Sequence, residues 1–263
     1  MKLLLYYIKE KLLEMSIRYE IMPGFEKLQP FVKVLPRCFE NEGKTIYVGR
    51  NVVKVMDIQG YKLNVKRYLI PSFFDRVVRS YLRRTKCWQA FTYAQLLLEK
   101  GFETPQPIAY VEERKNGLVA YSYFVSIHSE YPRMFYEFGD CAIEDCKDVI
   151  KAFAHYTARL HEAGFLHHDY SPGNILFDYI DGSYRFSLVD LNRLEFGKVS
   201  MKRGCANFKK LWGKKDFFLL LAKEYARIRG FDEQKCIDLI FAKRKKFWTR
   251  YCKKRTPDFN LEL

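Results

Sequence analysis

From residue 44 to residue 67, β-branched and aromatic residues come in short runs, at 45–48, 51–55 and 61–67, separated by Gly43, Gly49 and Gly60. Runs of this length bounded by glycine predict strands in an antiparallel meander. Alternation in the third run puts Leu63 and Val65 on one face and Lys62, Asn64 and Lys66 on the other. The period then lengthens: Trp88, Phe91, Leu96 and Leu98 predict a helix over 85–100, closed by Gly101 and broken by Pro105-Gln106-Pro107. Two further strands, 108–112 and 118–127, flank Asn116-Gly117, a dipeptide favoured in tight hairpins.

Beyond residue 128 the texture changes. Residues 128–141 show no clear period and are expected to form a hinge and its continuation. Ile150, Phe153, Ala154, Thr157, Leu160 and His161 recur at helical spacing until Gly164, and 217–228 and 233–251 predict two more helices. His155 and His161 are expected in packing roles on the first of these. At the other end, Lys2, the apolar run 3–8 and the charged Lys9-Glu10-Lys11 predict an amphipathic helix with Leu4, Tyr7, Ile8, Lys11 and Leu12 along one side. The run is too short for a secretory or membrane-spanning segment. The resulting division is an N-terminal helix or extension at 1–20, a small sheet-rich lobe at 21–128 and a mostly helical lobe at 129–263.

Composition narrows the class. With 48% hydrophobic and 29% charged residues in 263, the chain has enough apolar surface for one large domain or two lobes sharing a cleft, and is not disordered. Seven scattered cysteines without a CxxC pair point to thiols in a reducing compartment, not to disulfides or a zinc site. A net charge of +15 draws the surface to nucleic acid, anionic membrane or a phosphorylated substrate. Basic residues gather at 243–246 and 253–255 around Phe247, Trp248 and Tyr251. A solvated helix face with its aromatics turned inward accounts for that run better than a nucleic-acid patch.

One stretch carries candidate chemistry. His167-His168-Asp169-Tyr170-Ser171-Pro172-Gly173-Asn174 leads into the apolar Ile175-Leu176-Phe177, a loop entering a buried strand. After the Asp181-Gly182 turn a second strand, 186–189, ends on Asp190, and the hairpin returns Asp190 to the side of Asn174. A phosphoryl donor is polyanionic. Its transfer needs a carboxylate and an amide oxygen to hold Mg²⁺ on the phosphates and a second carboxylate to accept the proton of the attacking hydroxyl. Asp190 and Asn174 suit the first task and Asp169 the second. Gly43-Lys44-Thr45 is not a P-loop, because Cys38 stands where that motif needs its first glycine.

The spacing of Asp169 and Asn174 resembles the kinase catalytic loop H-R-D-x-x-x-x-N, with His168 at the Arg position. With Arg50-Asn51-Val52-Val53-Lys54, Val65-Lys66-Arg67-Tyr68, Gly101-Phe102-Glu103-Thr104-Pro105 and Asp190-Leu191-Asn192-Arg193, the chain is similar to the lipopolysaccharide kinase family of the protein-kinase-like superfamily, which includes Kdo kinases and core heptose kinases. The resemblance runs from Gly43 to about Trp212. It implies an α+β, bilobal protein-kinase-like fold, with a small antiparallel-sheet lobe carrying one helix and a larger helical lobe. It implies ATP and Mg²⁺ as cofactors, Lys66 on the phosphates, Gly43 and Gly49 flanking the nucleotide-covering loop, Asp169 as base, and Asn174 and Asp190 on the metal. It also implies a lipid A-core sugar, Kdo or heptose, or another phosphorylated sugar as acceptor, at an anionic membrane surface on the cytoplasmic side.

Departures accompany the likeness. No Gly-x-Gly-x-x-Gly is present, Thr92 stands where the helix should supply an acid to Lys66, and Gln89 or Gln95 could substitute only as neutral partners. Asp190-Leu191-Asn192 replaces Asp-Phe-Gly, and the activation segment with Ala-Pro-Glu is missing, which argues for a non-peptide acceptor. The sequence leaves open a protein or antibiotic kinase, a pseudokinase scaffold, and an RNA binder.

Overall fold

Three two-residue turns set the sheets. Gln59-Gly60, Asn116-Gly117 and Asp181-Gly182 all take positive φ at both positions, between 50° and 81°, the twist that lets antiparallel strands close on a two-residue loop. In the computed structural model, which describes residues 15–263, these turns join β3 (Val52–Ile58) to β4 (Tyr61–Tyr68), β5 (Pro107–Lys115) to β6 (Leu118–Ile127), and β9 (Ile175–Ile180) to β10 (Ser183–Leu188).

The chain divides into two compact units, one running through Leu97 and including Pro105–Ser129, the other made of Leu98–Thr104 and Glu130–Leu263. Residues 98–104 leave the first unit because their backbone is claimed by β10: Leu188 N donates to Glu103 O at 3.0 Å, and Thr104 Oγ1 donates to Leu188 O at 2.7 Å.

The first unit is a six-stranded antiparallel sheet in the order β1-β5-β6-β4-β3-β2, with β1 at Met15–Ile21 and β2 at Lys44–Val48. Helix α1 (Gln29–Cys38) covers one face. Its Phe31, Val32 and Leu35 pack with Leu63, Val65, Val111 and Val125 of the sheet. The other face carries Tyr68 and Tyr110 against Cys87 and Phe91 of α3 (Lys86–Glu99). Between β4 and α3 lie a short α2 (Phe73–Val77) and a π-helical turn, Val78–Leu82. Among the described residues the unit therefore holds three α-helices besides the strands, where the sequence predicts one.

One further correction concerns the N-terminus. Most of the amphipathic helix expected at 1–20 lies outside the described residues, but Met15 to Glu20 belong to β1, paired with β5 from Met15↔Lys115 to Ile21↔Ala109. The alternating Ile17, Tyr19 and Ile21 pack on the core, and that period of two is a strand's. The second unit resumes at Glu130, so the boundary between the units falls within the expected hinge at 128–141, and the continuation of that stretch belongs to the second unit. Arg133–Met134 (β7) pairs with β9, and a 3-10 turn at Phe135–Phe138 buries both of its phenylalanines.

Those rings centre an aromatic cluster. Phe135 lies 4.2 Å from Phe153 of α4 (Ile143–Glu162), and Phe177, Phe186 and Phe217 close around it. Fully burying each such ring contributes about 2–3 kcal/mol, which fixes β9 and β10 under the candidate site. The remaining helices are α5 (Met201–Asn207), α6 (Lys215–Arg229) and α7 (Glu233–Tyr251). On α7, Trp248 is buried and stacks edge-on to Phe259 at 5.1 Å, as expected for an inward aromatic face. Within the basic run, Arg244 is not solvated. It is fully buried, 3.3 Å above the Phe218 ring, and donates to Leu211 O at 2.6 Å.

Candidate active site

Gly164, at φ +83°, ends α4 and turns the chain into β8 (Phe165–His167), which pairs with β11 (Leu194–Phe196). The loop leaving β8 and the loop entering β11 are thereby held side by side, with the β9–β10 hairpin joining their far ends. Three bonds lace them: His168 N to Arg193 O at 3.2 Å, Val189 N to Asn174 O at 3.1 Å, and the His167 ring to Val189 O at 3.0 Å. His167 Nδ1 accepts from Asp169 N at 3.1 Å, so Nε2 carries the proton and donates to Val189.

Asp169, Asn174 and Asp190 come together on these two loops. The Asn174 amide donates to Asp169 O at 2.8 Å, which turns its oxygen the other way. Asp190 sits in the left-handed region (φ 61°, ψ 47°), and Asn192 Nδ2 donates to its Oδ1 at 2.9 Å. Aspartate tolerates that conformation better than most residues.

The Asp169 carboxylate is half-buried. Lys210, on the 3-10 turn Phe208–Lys210, donates to its Oδ1 at 2.5 Å, and Arg193 Nη1 lies 3.9 Å from Oδ2. Burial is the largest influence and raises the carboxyl, but the Lys210 hydrogen bond and charge, joined by Arg193, outweigh it and hold Asp169 below the usual carboxylate range. The group is therefore an ionised acceptor at neutral pH. Lys210→Met should leave burial opposed by less positive charge, so the acid limb of the kcat/KM profile should move to higher pH, with Lys210→Arg restoring it. A limb that stays in place removes Lys210 from this role.

A buried polar network supports the loop from below. Asn207 Nδ2 donates to His167 O at 2.8 Å, while its oxygen accepts from His161 Nε2 at 3.0 Å. His161 Nδ1 accepts from Tyr225 OH at 2.8 Å, and Arg229 donates to that hydroxyl at 2.9 Å. Gly204 of α5 is required here, because a Cβ would stand 2.0 Å from Tyr225 OH. His161 thus has the packing role expected of it, whereas His155 is exposed. Burial, the main cause, pushes His161 down to about 4. The unfolded chain takes up this proton below about pH 6.5 and the folded chain does not. Stability should be full above that pH and fall toward pH 4 by about 1.4 kcal/mol per pH unit. Urea midpoints at pH 7 and pH 5 test this, and a slope unchanged in His161→Gln would refute it.

The other expected site residues belong to the first unit. Lys66 is on β4, on the face shared with Tyr68 and α3, its Nζ 5.4 Å from the Tyr68 ring centroid. Gln89 and Gln95 commit their amide N–H groups within α3, to Tyr93 OH and Phe91 O. Gly49 stands in the turn between β2 and β3, its N donating to Asn51 O at 3.0 Å. Gly43 opens β2 at the opposite end, at φ +77°, where a Cβ would meet Val55 O at 2.7 Å. The five-residue strand β2 separates the two glycines by about 20 Å, and Gly43 serves the close approach of β2 to β3. Lys44 and Thr45 continue as strand, with no helix N-terminus of a P-loop.

Sequence reasoning missed Lys210 and Asn207. Neither lies in a motif, and each meets its partner across about forty intervening residues.

A family model, the lipopolysaccharide kinase (Kdo/WaaP) family, matches residues 37–217. The chain belongs to this family. Among solved structures, WaaP in complex with acyl carrier protein is similar at a TM-score of 0.59 and 17% identity, covering 88% of this chain and 99% of that one. The Rio2 kinase–ADP/Mg²⁺-phosphoaspartate complex from Chaetomium thermophilum matches at 0.44 and 14%, over 98% and 72% of the two chains. Comparison with curated proteins found no sequence match.

As a member of the Kdo/WaaP family the protein is a phosphotransferase, a lipopolysaccharide kinase, and kinase chemistry implies ATP as donor. Its residues fit a magnesium-bound nucleotide. Among the described residues no cluster of three or more His, Cys, Asp or Glu forms a closed metal site. Asp190 and Asn174 instead offer one carboxylate and one amide oxygen, a hard and incomplete set that suits an ion also held by phosphates and water.

Proposed function

We propose that the protein transfers the γ-phosphoryl group of ATP to a hydroxyl of an inner-core sugar, Kdo or heptose, of lipid A-linked lipopolysaccharide, at the cytoplasmic face of the membrane. Asn174 and Asp190 would hold Mg²⁺, which neutralises charge on the phosphates. Lys66 contacts the phosphates, and the β2–β3 turn with Gly49 covers them. Asp169 accepts the proton of the sugar hydroxyl, and Lys210 and Arg193 keep it ionised until then.

The observation that carries this reading is the convergence of Asp169, Asn174 and Asp190 on two laced loops, with β11 and then α5 following at Leu194 and Met201. The chain spends this stretch on a strand and a helix, where a protein kinase would build a platform for a peptide. A sugar acceptor needs no such platform. The net charge of +15 suits a phosphorylated glycolipid in an anionic leaflet. No helix among the described residues is long and apolar enough to cross a membrane, so attachment at the surface is the form proposed.

Mass spectrometry of lipid A-core from cells with and without the protein tests the proposal. The expected result is the loss of one phosphate from a Kdo or heptose when the protein is absent. An unchanged core, together with ATP-dependent labelling of casein by the purified protein, would overturn it.

A further inference from the structure

The helical segment after β4 is built the wrong way round for a soluble protein. Phe73–Val77 and Val78–Leu82 contain six large apolar residues in ten, yet none of the ten is buried. Phe74 is 82% exposed, Leu82 78%, Tyr81 69% and Phe73 63%. An ordinary amphipathic helix turns such side chains to the core.

Here two of the polar residues, Arg76 and Ser80, face the protein. Arg76 Nε donates to Val119 O at 2.8 Å, and Ser80 Oγ accepts from Val119 N at 2.9 Å, so a residue and its neighbour one turn on clamp the segment to the start of β6. Ser72 caps the helix by accepting from Asp75 N. The apolar side is thus held outward by hydrogen bonds. Leu69 and Ile70, also exposed, extend it toward the β2–β3 turn, where Asn51 Oδ1 accepts from Leu69 N at 3.3 Å. An apolar surface of this extent on a soluble chain marks an interaction site.

The charges choose the occupant. Residues 69–84 hold Arg76, Arg79, Arg83 and Arg84 against one acid, Asp75, and Arg83 and Arg84 are exposed at the end of the apolar run. Aromatic and aliphatic side chains edged by guanidinium groups match a bilayer of anionic lipids, whose headgroups take the charge while the acyl boundary takes the rings. We infer that residues 69–84 dock the protein on an anionic lipid surface by inserting Phe73, Phe74, Tyr81 and Leu82 between headgroups. This rests on the membrane-surface reading above and names the element that performs it.

Co-sedimentation of the full chain with vesicles is the test, and it reads binding without phosphate transfer, so its failure leaves the kinase assignment standing. The wild-type protein should bind phosphatidylcholine vesicles containing phosphatidylglycerol and bind pure phosphatidylcholine far more weakly. Phe74→Ser with Leu82→Ser should weaken binding by more than about tenfold, the effect of withdrawing two large side chains from an apolar medium. Arg83→Glu with Arg84→Glu should weaken binding to the anionic vesicles alone. Both variants change exposed positions and should melt as the wild type does. Wild-type affinity in the serine variant overturns the proposal. So does unchanged vesicle binding with a dimer that the serine variant dissociates in sedimentation velocity, which would make a second copy the occupant.

Discussion

Asp169→Asn is expected to lower phosphate transfer by about 10² to 10⁴, the usual contribution of a positioned base, equivalent to about 3–5 kcal/mol in the barrier. Asparagine keeps the size of the side chain and its place beside Lys210, and the backbone bonds from Asp169 N to His167 and from Asn174 to Asp169 O do not involve the carboxylate. The loop should therefore keep its shape, and what is lost is the proton acceptor. A loss in kcat with KM for ATP little changed is the expected signature, read in a coupled assay with purified core oligosaccharide. Wild-type turnover would remove Asp169 from the role of base. Comparison with Lys210→Met separates two effects, because that variant should displace the pH profile while retaining turnover on its plateau.

Much of the candidate site's backbone arrangement was readable because it is local. Asp169, Asn174 and Asp190 lie on one loop and one hairpin, and the Asp181-Gly182 turn fixed how that hairpin must close. The strands around Asn116-Gly117 and Gly60 followed from the same turn chemistry. What stayed hidden depended on distance or on competing patterns. Lys210 reaches Asp169 only because α5 brings the 3-10 turn back under the loop, and nothing in Phe208-Lys209-Lys210 distinguishes it from other basic pairs. In β1 the alternation of Ile17, Tyr19 and Ile21 was present, but the leucine-rich run before it drew the reading toward a helix. Phe135 and Phe138 looked aperiodic because a 3-10 turn buries residues three apart without continuing as a helix. The outward face of Phe73–Leu82 was invisible for the opposite reason, since apolar residues at helical spacing imply burial until their neighbours are known.

Replacing Asp190 by asparagine should bring the second large loss, about 10³ or more in magnesium-dependent turnover, since charge stabilisation by a bound metal contributes several kcal/mol to the transition state. The choice of asparagine follows from the backbone. At φ 61° an alanine would add a conformational cost of about 1–2 kcal/mol to the loss of charge, whereas asparagine enters the left-handed region readily. Val189 N to Asn174 O and the His167 bond to Val189 O hold the preceding residue whichever side chain follows. An unchanged melting temperature with a rise in the Mg²⁺ concentration needed for half-maximal rate would therefore report on the metal and not on the fold. Isothermal titration with the Mg²⁺–nucleotide complex gives the same answer without turnover: affinity for the complex should fall while affinity for metal-free nucleotide changes little. Undiminished activity and metal affinity in Asp190→Asn would sink the assignment. Asn174→Ala should then be no worse than Asp190→Asn, because a neutral amide oxygen contributes less to holding a divalent cation than a carboxylate does.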